Sequence, residues 1–210
     1  MSIKQKAFTL AEILITLTVM GLISALTIPS LVQTTKDSQL KSAWKETYSI
    51  INQATSRVIL NNGGTMLGIC TDWDGNCMRD KYLNHLLSIK SCSSSDAVGN
   101  CWPNNTKYMD NSNFAYNGSP VIILNNGSSL AFAFYYGNCT NTDWQNIPVC
   151  GALNLDVNGL KGPNIMGKDI YGIWIVKDGI KPYGVQGDGY ENTCTTSSLG
   201  IACATKYLMQ

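Results

Sequence analysis

The chain has little charge and a single histidine. Asp, Glu, Lys and Arg make up 14% of its 210 residues, and His85 is the only candidate for a Cys–His nucleophile. Fifteen basic and 14 acidic side chains leave a formal net charge of +1, which is not the basic balance typical of nucleic-acid-binding proteins. The sequence also lacks a phosphate-binding glycine loop, a nucleophile elbow and a paired-carboxylate motif. These absences predict that the chain is not an enzyme and that it has no nucleic-acid partner.

Charged residues are scarcest in the segment that follows Lys6. Lys4 and Lys6 precede an apolar run over residues 8–32, in which Glu12 is the only charged residue. A run of 25 residues is long enough to span a bilayer as a helix. A carboxylate in such a segment is costly unless it is paired, so we interpret Glu12 as functional. The alternative is an ordinary signal or anchor that tolerates one acid.

The position of Ala7 distinguishes this N-terminal segment from a secretory signal peptide. A secretory signal has its small-residue cleavage site after the apolar region, whereas Ala7 lies before it. Ala7, Phe8 and Glu12 together resemble the class III leader of type IV pilins and type II secretion pseudopilins. The resemblance covers about the first thirty residues. Most members of the family have glycine at the position of Ala7.

The resemblance implies a processing pathway. A prepilin peptidase would remove the leader, residues 1–7, by cutting between Ala7 and Phe8, and would then N-methylate Phe8. The new α-amino group of Phe8 is positively charged at neutral pH. Glu12 of a neighbouring subunit could neutralise this amine, and such a pair sets register more reliably than it adds stability. Glu12 is therefore the predicted assembly residue, and the resemblance also gives it a part in N-methylation.

A long N-terminal helix is predicted from Phe8 to about Leu60. Residues 8–32 would form its membrane-spanning and filament-core half, and residues 33–62 are amphipathic with helical spacing. The Asn-Asn-Gly-Gly sequence at 61–64 is a stop signal.

Gly21 and Pro29 are potential helix breakers within the apolar half. Proline removes a helix hydrogen bond and clashes with the preceding turn, and glycine lowers helix propensity. The sequence is compatible with a stretch that opens between them in a filament and equally with a bent but intact helix.

Residues 63–210 are predicted to form one globular head. Strand patterns at 121–124 and 130–135 flank a polar turn, a further strand is expected at 152–155, and residues 170–176 begin a second hairpin. The predicted fold class is therefore α+β, with the long helix packed on a small antiparallel sheet, as in pilins.

All eight cysteines lie in the head. An even number of cysteines in an exported domain indicates disulfides. Their grouping along the sequence favours nearest-neighbour pairs, although eight cysteines allow 105 pairings. A zinc site is the rival hypothesis, but it is poorly supported by one histidine and no Cys-x-x-Cys pair. The favoured pairs are Cys70–Cys77, Cys92–Cys101, Cys139–Cys150 and Cys194–Cys203.

A glycine-rich segment at 156–169 is a candidate calcium loop. Asp156, Asn158 and Asp169 supply the oxygen ligands that calcium prefers. Some pseudopilins hold calcium near the C-terminal sheet, and this segment is similar to theirs in position. Lys161 and Lys168 are unfavourable for a cation. The alternative is a plain connection in which Asp and Asn form turns.

The resemblance implies a structural subunit of a type II secretion pseudopilus, polymerised through its N-terminal helix to drive protein secretion. The alternative is a major or minor type IV pilin in a surface filament for adhesion, motility or DNA uptake. Expected partners are prepilin peptidase/methyltransferase, other pilin or pseudopilin subunits and the secretion or pilus assembly machinery. The subunit would first be a single-pass protein of the inner membrane, with its head in the periplasm or outside. It would then join a filament in the cell envelope or at the surface.

Overall fold

The computed structural model describes residues 8–116, 118–142 and 146–210. Its fold is α+β, as predicted, with one long helix and a six-stranded sheet. The helices are α1 (Leu10–Asn61), α2 (Gly75–Leu83) and α3 (Cys203–Leu208). The strands are β1 (Ser88–Cys92), β2 (Val121–Leu124), β3 (Ser129–Tyr135), β4 (Gly151–Asp156), β5 (Ile170–Val176) and β6 (Gly179–Pro182). The chain divides after Gln39 into two compact units, and α1 contributes to both.

The sheet is an antiparallel meander in which every strand pairs with its neighbour in sequence. The spatial order is β1-β2-β3-β4-β5-β6. Short turns join β2 to β3 and β5 to β6, which agrees with the two predicted hairpins. The register places Asp156 opposite Ser129 on one side and opposite Ile170 on the other. The start of β3, the end of β4 and the start of β5 therefore lie side by side at one end of the sheet.

The first unit contains the apolar half of α1. Its side chains are exposed all round in the single chain, and α1 is long and apolar enough to cross a membrane. Hydroxyl groups in this half donate to backbone carbonyls three or four residues earlier, as Thr16 does to Ile13 and Thr18 does to Leu14. These bonds satisfy the hydroxyls within the helix, which suits an apolar environment.

The helix α1 is unbroken through Gly21 and Pro29. The sequence was compatible with an opened stretch and with an intact helix, and in the single chain this segment is an intact helix. Near the proline, Thr27 and Ser30 donate their hydroxyls to the carbonyls of Ile23 and Thr27.

The second unit is built on the C-terminal half of α1. Trp44, Ile51, Ala54 and Val58 are buried and recur at helical spacing along one face. The Trp44 ring stacks on Tyr171 of β5 with centroids 4.6 Å apart, and its Nε1–H donates to the carbonyl of Ala204 at 3.0 Å. The helix is thereby fixed to both the sheet and α3.

Four disulfides close local loops in the second unit. The pairs are the predicted nearest neighbours, and none of the eight cysteines is free. No cysteine thiolate is therefore left for the zinc hypothesis. Each loop is short, because the paired cysteines are 7 to 11 residues apart in sequence. The bridges restrain connections around the sheet rather than joining its distant parts.

Candidate functional sites

The N-terminus of α1 is closed by a reciprocal hydrogen-bond arrangement between Thr9 and Glu12. The Thr9 carbonyl accepts the first helical bond, from Ile13. Glu12 Oε2 accepts from both the backbone N–H and the hydroxyl of Thr9, each at 2.8 Å. In return, the Glu12 N–H donates to Thr9 Oγ1 at 3.3 Å. Thr9-Leu10-Ala11-Glu12 is therefore a capping box, a motif with a recognisable signature in the sequence.

Glu12 consequently has a partner within its own chain. Its carboxylate lies in the first turn of α1, where the helix dipole also favours negative charge. Phe8 is 79% exposed, and the surface of Glu12 is also open in the single chain. Ala7, the other residue of the predicted cleavage site, lies outside the described residues.

A second site lies where β3, β4 and β5 meet. Asp156 ends β4, Asp169 comes directly before β5, and both are fully buried. The Asp169 carboxylate accepts from the N–H groups of Asn164 and Ile165, each at 2.7 Å. Asp156 Oδ1 accepts from the Asn158 N–H at 3.1 Å. The loop between the two strands is thus wrapped around its two acids.

Several buried oxygens at this site have no hydrogen-bond partner among the described residues. They are Asp156 Oδ2, Asn158 Oδ1, Asn164 Oδ1 and Ser129 Oγ. The Asn158 amide nitrogen donates to the carbonyl of Gly162 at 3.1 Å, so its oxygen is the atom left over. Buried polar atoms are rarely unpaired in native proteins, so several unpaired oxygens in one place indicate a site that can accept a hydrogen-bond donor or a cation. We call these four residues together with Asp169 the oxygen cluster.

The electrostatics of the oxygen cluster are those of a site that lacks positive charge. Burial raises the pKa of Asp156 well above its usual range, and the nearby Asp169 raises it further. Burial also raises the pKa of Asp169, against the lowering effect of its backbone hydrogen bonds. Lys161 and Lys168, which the sequence identified as unfavourable, are both exposed.

A close approach of two turns holds the cluster together. Gly159 follows Asn158 with a φ of 65°, a conformation that favours glycine. A Cβ at Gly159 would lie 2.5 Å from the carbonyl oxygen of Gly127, in the turn that precedes Ser129. Glycine at 159 therefore lets the calcium-candidate loop contact the β2–β3 turn.

The structure brings Asp156, Asn158 and Asp169 together, as the sequence hypothesis requires. Sequence reasoning missed Ser129 and Asn164. Ser129 comes from the neighbouring strand, and only the register of β3 on β4 places it beside Asp156. The described residues contain no group of three His, Cys, Asp or Glu side chains suited to a metal. The cluster instead combines two carboxylates with neutral oxygens, a set that suits a hard cation such as calcium.

Other sequence features have structural roles. In the acidic turn at 72–76, Asp72 accepts from the Gly137 N–H at 2.6 Å, and Asp74 caps α2 by accepting from the Cys77 N–H. His85 Nε2 lies 3.1 Å from the side-chain nitrogen of Asn61, at the end of α1. These contacts give the acidic turn and His85 structural roles.

No protein-family model matches this chain, and no curated protein or solved structure matches it either. The class suggested by the N-terminal residues therefore depends on those residues and on the physical arguments above.

The raised pKa values predict how the Asp156→Asn variant behaves without metal. Between the pKa of an unfolded aspartate, about 3.9, and the higher folded values, the folded state holds protons that the unfolded chain has released. Stability should therefore fall as pH rises through this range. The substituted asparagine would carry no charge and could donate to the unpaired oxygens. We expect Asp156→Asn to raise the free energy of unfolding by about 1–3 kcal/mol at pH 7 in chelator.

The advantage of Asp156→Asn should disappear near pH 3, where the native carboxyl is protonated in both states. Asp178→Asn, in the exposed β5–β6 turn, is the matched control and should leave stability unchanged at both pH values. Denaturant unfolding of the full chain in detergent provides the measurement. A variant less stable than the native chain at pH 7 would contradict the argument.

Proposed function

We propose that this chain is a pilin-like structural subunit of a type II secretion pseudopilus. The observation that carries the proposal is Glu12, the single acid of the apolar half of α1, whose side chains are exposed all round in the single chain. An apolar surface of this extent requires either lipid or other apolar helices around it. A membrane anchor that later becomes a filament core meets both needs with one segment.

The proposed sequence of events follows from the N-terminal residues. The precursor is inserted in the inner membrane through α1, with its head in the periplasm or outside. Prepilin peptidase cuts between Ala7 and Phe8 and methylates the new amine. The mature subunit then leaves the bilayer and joins other subunits, where Glu12 neutralises the amine of a neighbour. Polymerisation would drive protein secretion.

A surface type IV pilin is the second candidate. Four disulfides in the head favour it modestly, because they suit a domain exposed outside the cell. The oxygen cluster favours the pseudopilus, since calcium near the C-terminal sheet is a feature of some pseudopilins. Both candidates require the same N-terminal processing.

Calcium is part of this proposal. Asp156 and Asp169 would supply two negative charges that match the charge of the ion, and Ser129, Asn158 and Asn164 would supply neutral oxygens. The bound ion would fix the loop at 156–169 against the β2–β3 turn.

The processing step predicts a defined mature N-terminus. Intact mass and N-terminal peptide mass of the protein purified from its native envelope should correspond to a chain that begins at N-methyl-Phe8. A chain that retains residues 1–7, or one cut after the apolar run, would contradict both pilin-like candidates. The measurement needs no assembled filament and separates processing from assembly.

Variants of Glu12 separate its charge from its capping role. Glu12→Ala removes both, whereas Glu12→Gln keeps an oxygen that can accept from Thr9 and so preserves the capping box. We expect both variants to be cleaved and both to be lost from sheared filaments, because each lacks the counter-charge for the amine of Phe8. Thr9→Ala is the matched control: it weakens the cap but keeps the charge, and it should still assemble.

Immunoblots of membrane and sheared-filament fractions measure the distribution. Normal assembly of Glu12→Gln together with failure of Thr9→Ala would assign Glu12 to helix capping and overturn the charge role.

Calcium should stabilise the full chain in a pH-dependent manner. At a calcium concentration of 100 times the Kd, a single site adds about 2.7 kcal/mol to the free energy of unfolding. This increment should be present at pH 7 and lost in acid, where protons compete for Asp156 and Asp169. Asp169→Asn should remove the effect, and Asp178→Asn should retain it. An equal shift in native protein and Asp169→Asn would place any calcium elsewhere.

A further inference from the structure

A cavity of about 300 Å³ lies on the face of the sheet opposite α1. Side chains alternate along β4, so Leu153 and Leu155 join the core beneath α1 while Asn154 lines the cavity. The lining includes Trp73, Phe134, Trp174 and several tyrosines, and none of the described residues that line it carries a charged side chain. Its volume is at the lower end of the range for small-molecule sites.

Trp174 and Tyr183 form an aromatic wall of the cavity, and a buried acid holds this wall in place. Asp188 is fully buried and accepts from Trp174 Nε1 at 3.0 Å and from the N–H groups of Gly184 and Tyr190, at 2.6 and 2.9 Å. The ring centroids of Trp174 and Tyr183 are only 4.0 Å apart. The wall is therefore held before any ligand arrives, which lowers the entropy cost of binding.

Glycine in the sheet makes room for this wall. Gly172 of β5 lies beneath Tyr183, and a Cβ there would be 2.0 Å from the tyrosine ring. Gly172 pairs with Asn154, and Ala131 pairs with Asn154 on the other side. Because both cross-strand neighbours are small, the Tyr183 ring can lie over Gly172, next to Asn154 on the cavity floor.

The floor carries hydrogen-bonding groups without protein partners. The Asn154 side chain is 8% exposed, and among the described residues its amide makes no hydrogen bond. The side-chain hydroxyls of Tyr108 and Tyr183, which also line the cavity, have no hydrogen-bond partner among the described residues either. An amide both donates and accepts, so an occupant that satisfies it must do the same.

These features together specify the chemistry of an occupant. A charged ligand would lose its hydration without gaining a counter-charge from the lining residues that the structure describes. A purely apolar ligand would leave Asn154 buried and unpaired. A neutral sugar ring meets both conditions, because its C–H faces pack on aromatic rings and its hydroxyls donate and accept. We propose that this cavity binds a neutral saccharide, with the aromatic wall packing on the ring and Asn154 and Tyr183 bonding its hydroxyls.

Binding can be tested on the full chain in a zwitterionic detergent whose headgroup carries no sugar. Maltotriose and triacetylchitotriose are the probes, and titration calorimetry with tryptophan fluorescence is the readout, since Trp73 and Trp174 line the cavity. We expect saturable binding of at least one probe. Asn154→Leu keeps the side-chain size and removes the amide, and should weaken binding about tenfold or more. Tyr183→Phe removes one hydroxyl and should weaken it less.

Asn105→Leu is the matched control, because it makes the same change at an exposed residue outside the cavity. It should leave affinity unchanged. Thermal unfolding supplies a second readout: Asn154→Leu should keep roughly the stability of the native chain, since the substitution breaks no hydrogen bond among the described residues. If it fails to fold, Tyr183→Phe decides the matter alone.

Three results would overturn the proposal. They are the absence of binding at tens of millimolar of either probe, binding that Asn154→Leu and Tyr183→Phe both leave unchanged, and binding of indole in place of either sugar. The assay involves neither cleavage nor assembly, so its outcome is independent of the proposed pseudopilus role.

Discussion

Burial of β4 on both faces is the constraint on which the second unit depends. Every residue of Gly151–Asp156 is buried. One face of the strand packs beneath α1 through Leu153 and Leu155, and the other provides Asn154 to the aromatic cavity. The strand then ends at Asp156, in the oxygen cluster. A shift of one residue in its register would turn Asn154 into the core and the two leucines into the cavity.

The same strand explains why polar residues are tolerated inside this domain. Asp156 lies at the end of β4, beside Asp169. The carboxylate of Asp169 accepts hydrogen bonds from the loop N–H groups of Asn164 and Ile165. Asn154 lies between two small residues, so its amide faces the cavity rather than a tightly packed core. Neither position would be stable in a uniformly packed core, because an unpaired buried polar group costs about 1–3 kcal/mol.

Local sequence patterns predicted most of the elements. The stop signal at 61–64 predicts the end of α1 at Asn61, and short apolar runs bounded by polar turns predict β2, β3, β4 and β5. The edge strand β1 was missed because four of its five residues are exposed, so it carries no apolar pattern. The segment at 156–169 was found from the types of its residues, whereas Ser129 and Asn164 were not. Their place in the oxygen cluster is set by strand register and loop path, neither of which is local in sequence.

The capping box at the start of α1 has a consequence for how a subunit could meet its neighbours. The carboxylate of Glu12 already accepts two hydrogen bonds from Thr9 in the isolated chain. A contact with another subunit would therefore begin by exchanging one set of bonds for another. The net gain from a new partner of Glu12 would therefore be smaller than that of a carboxylate with no bonds to give up. Its size would be set by Thr9, whose backbone N–H and hydroxyl supply the two bonds that are exchanged.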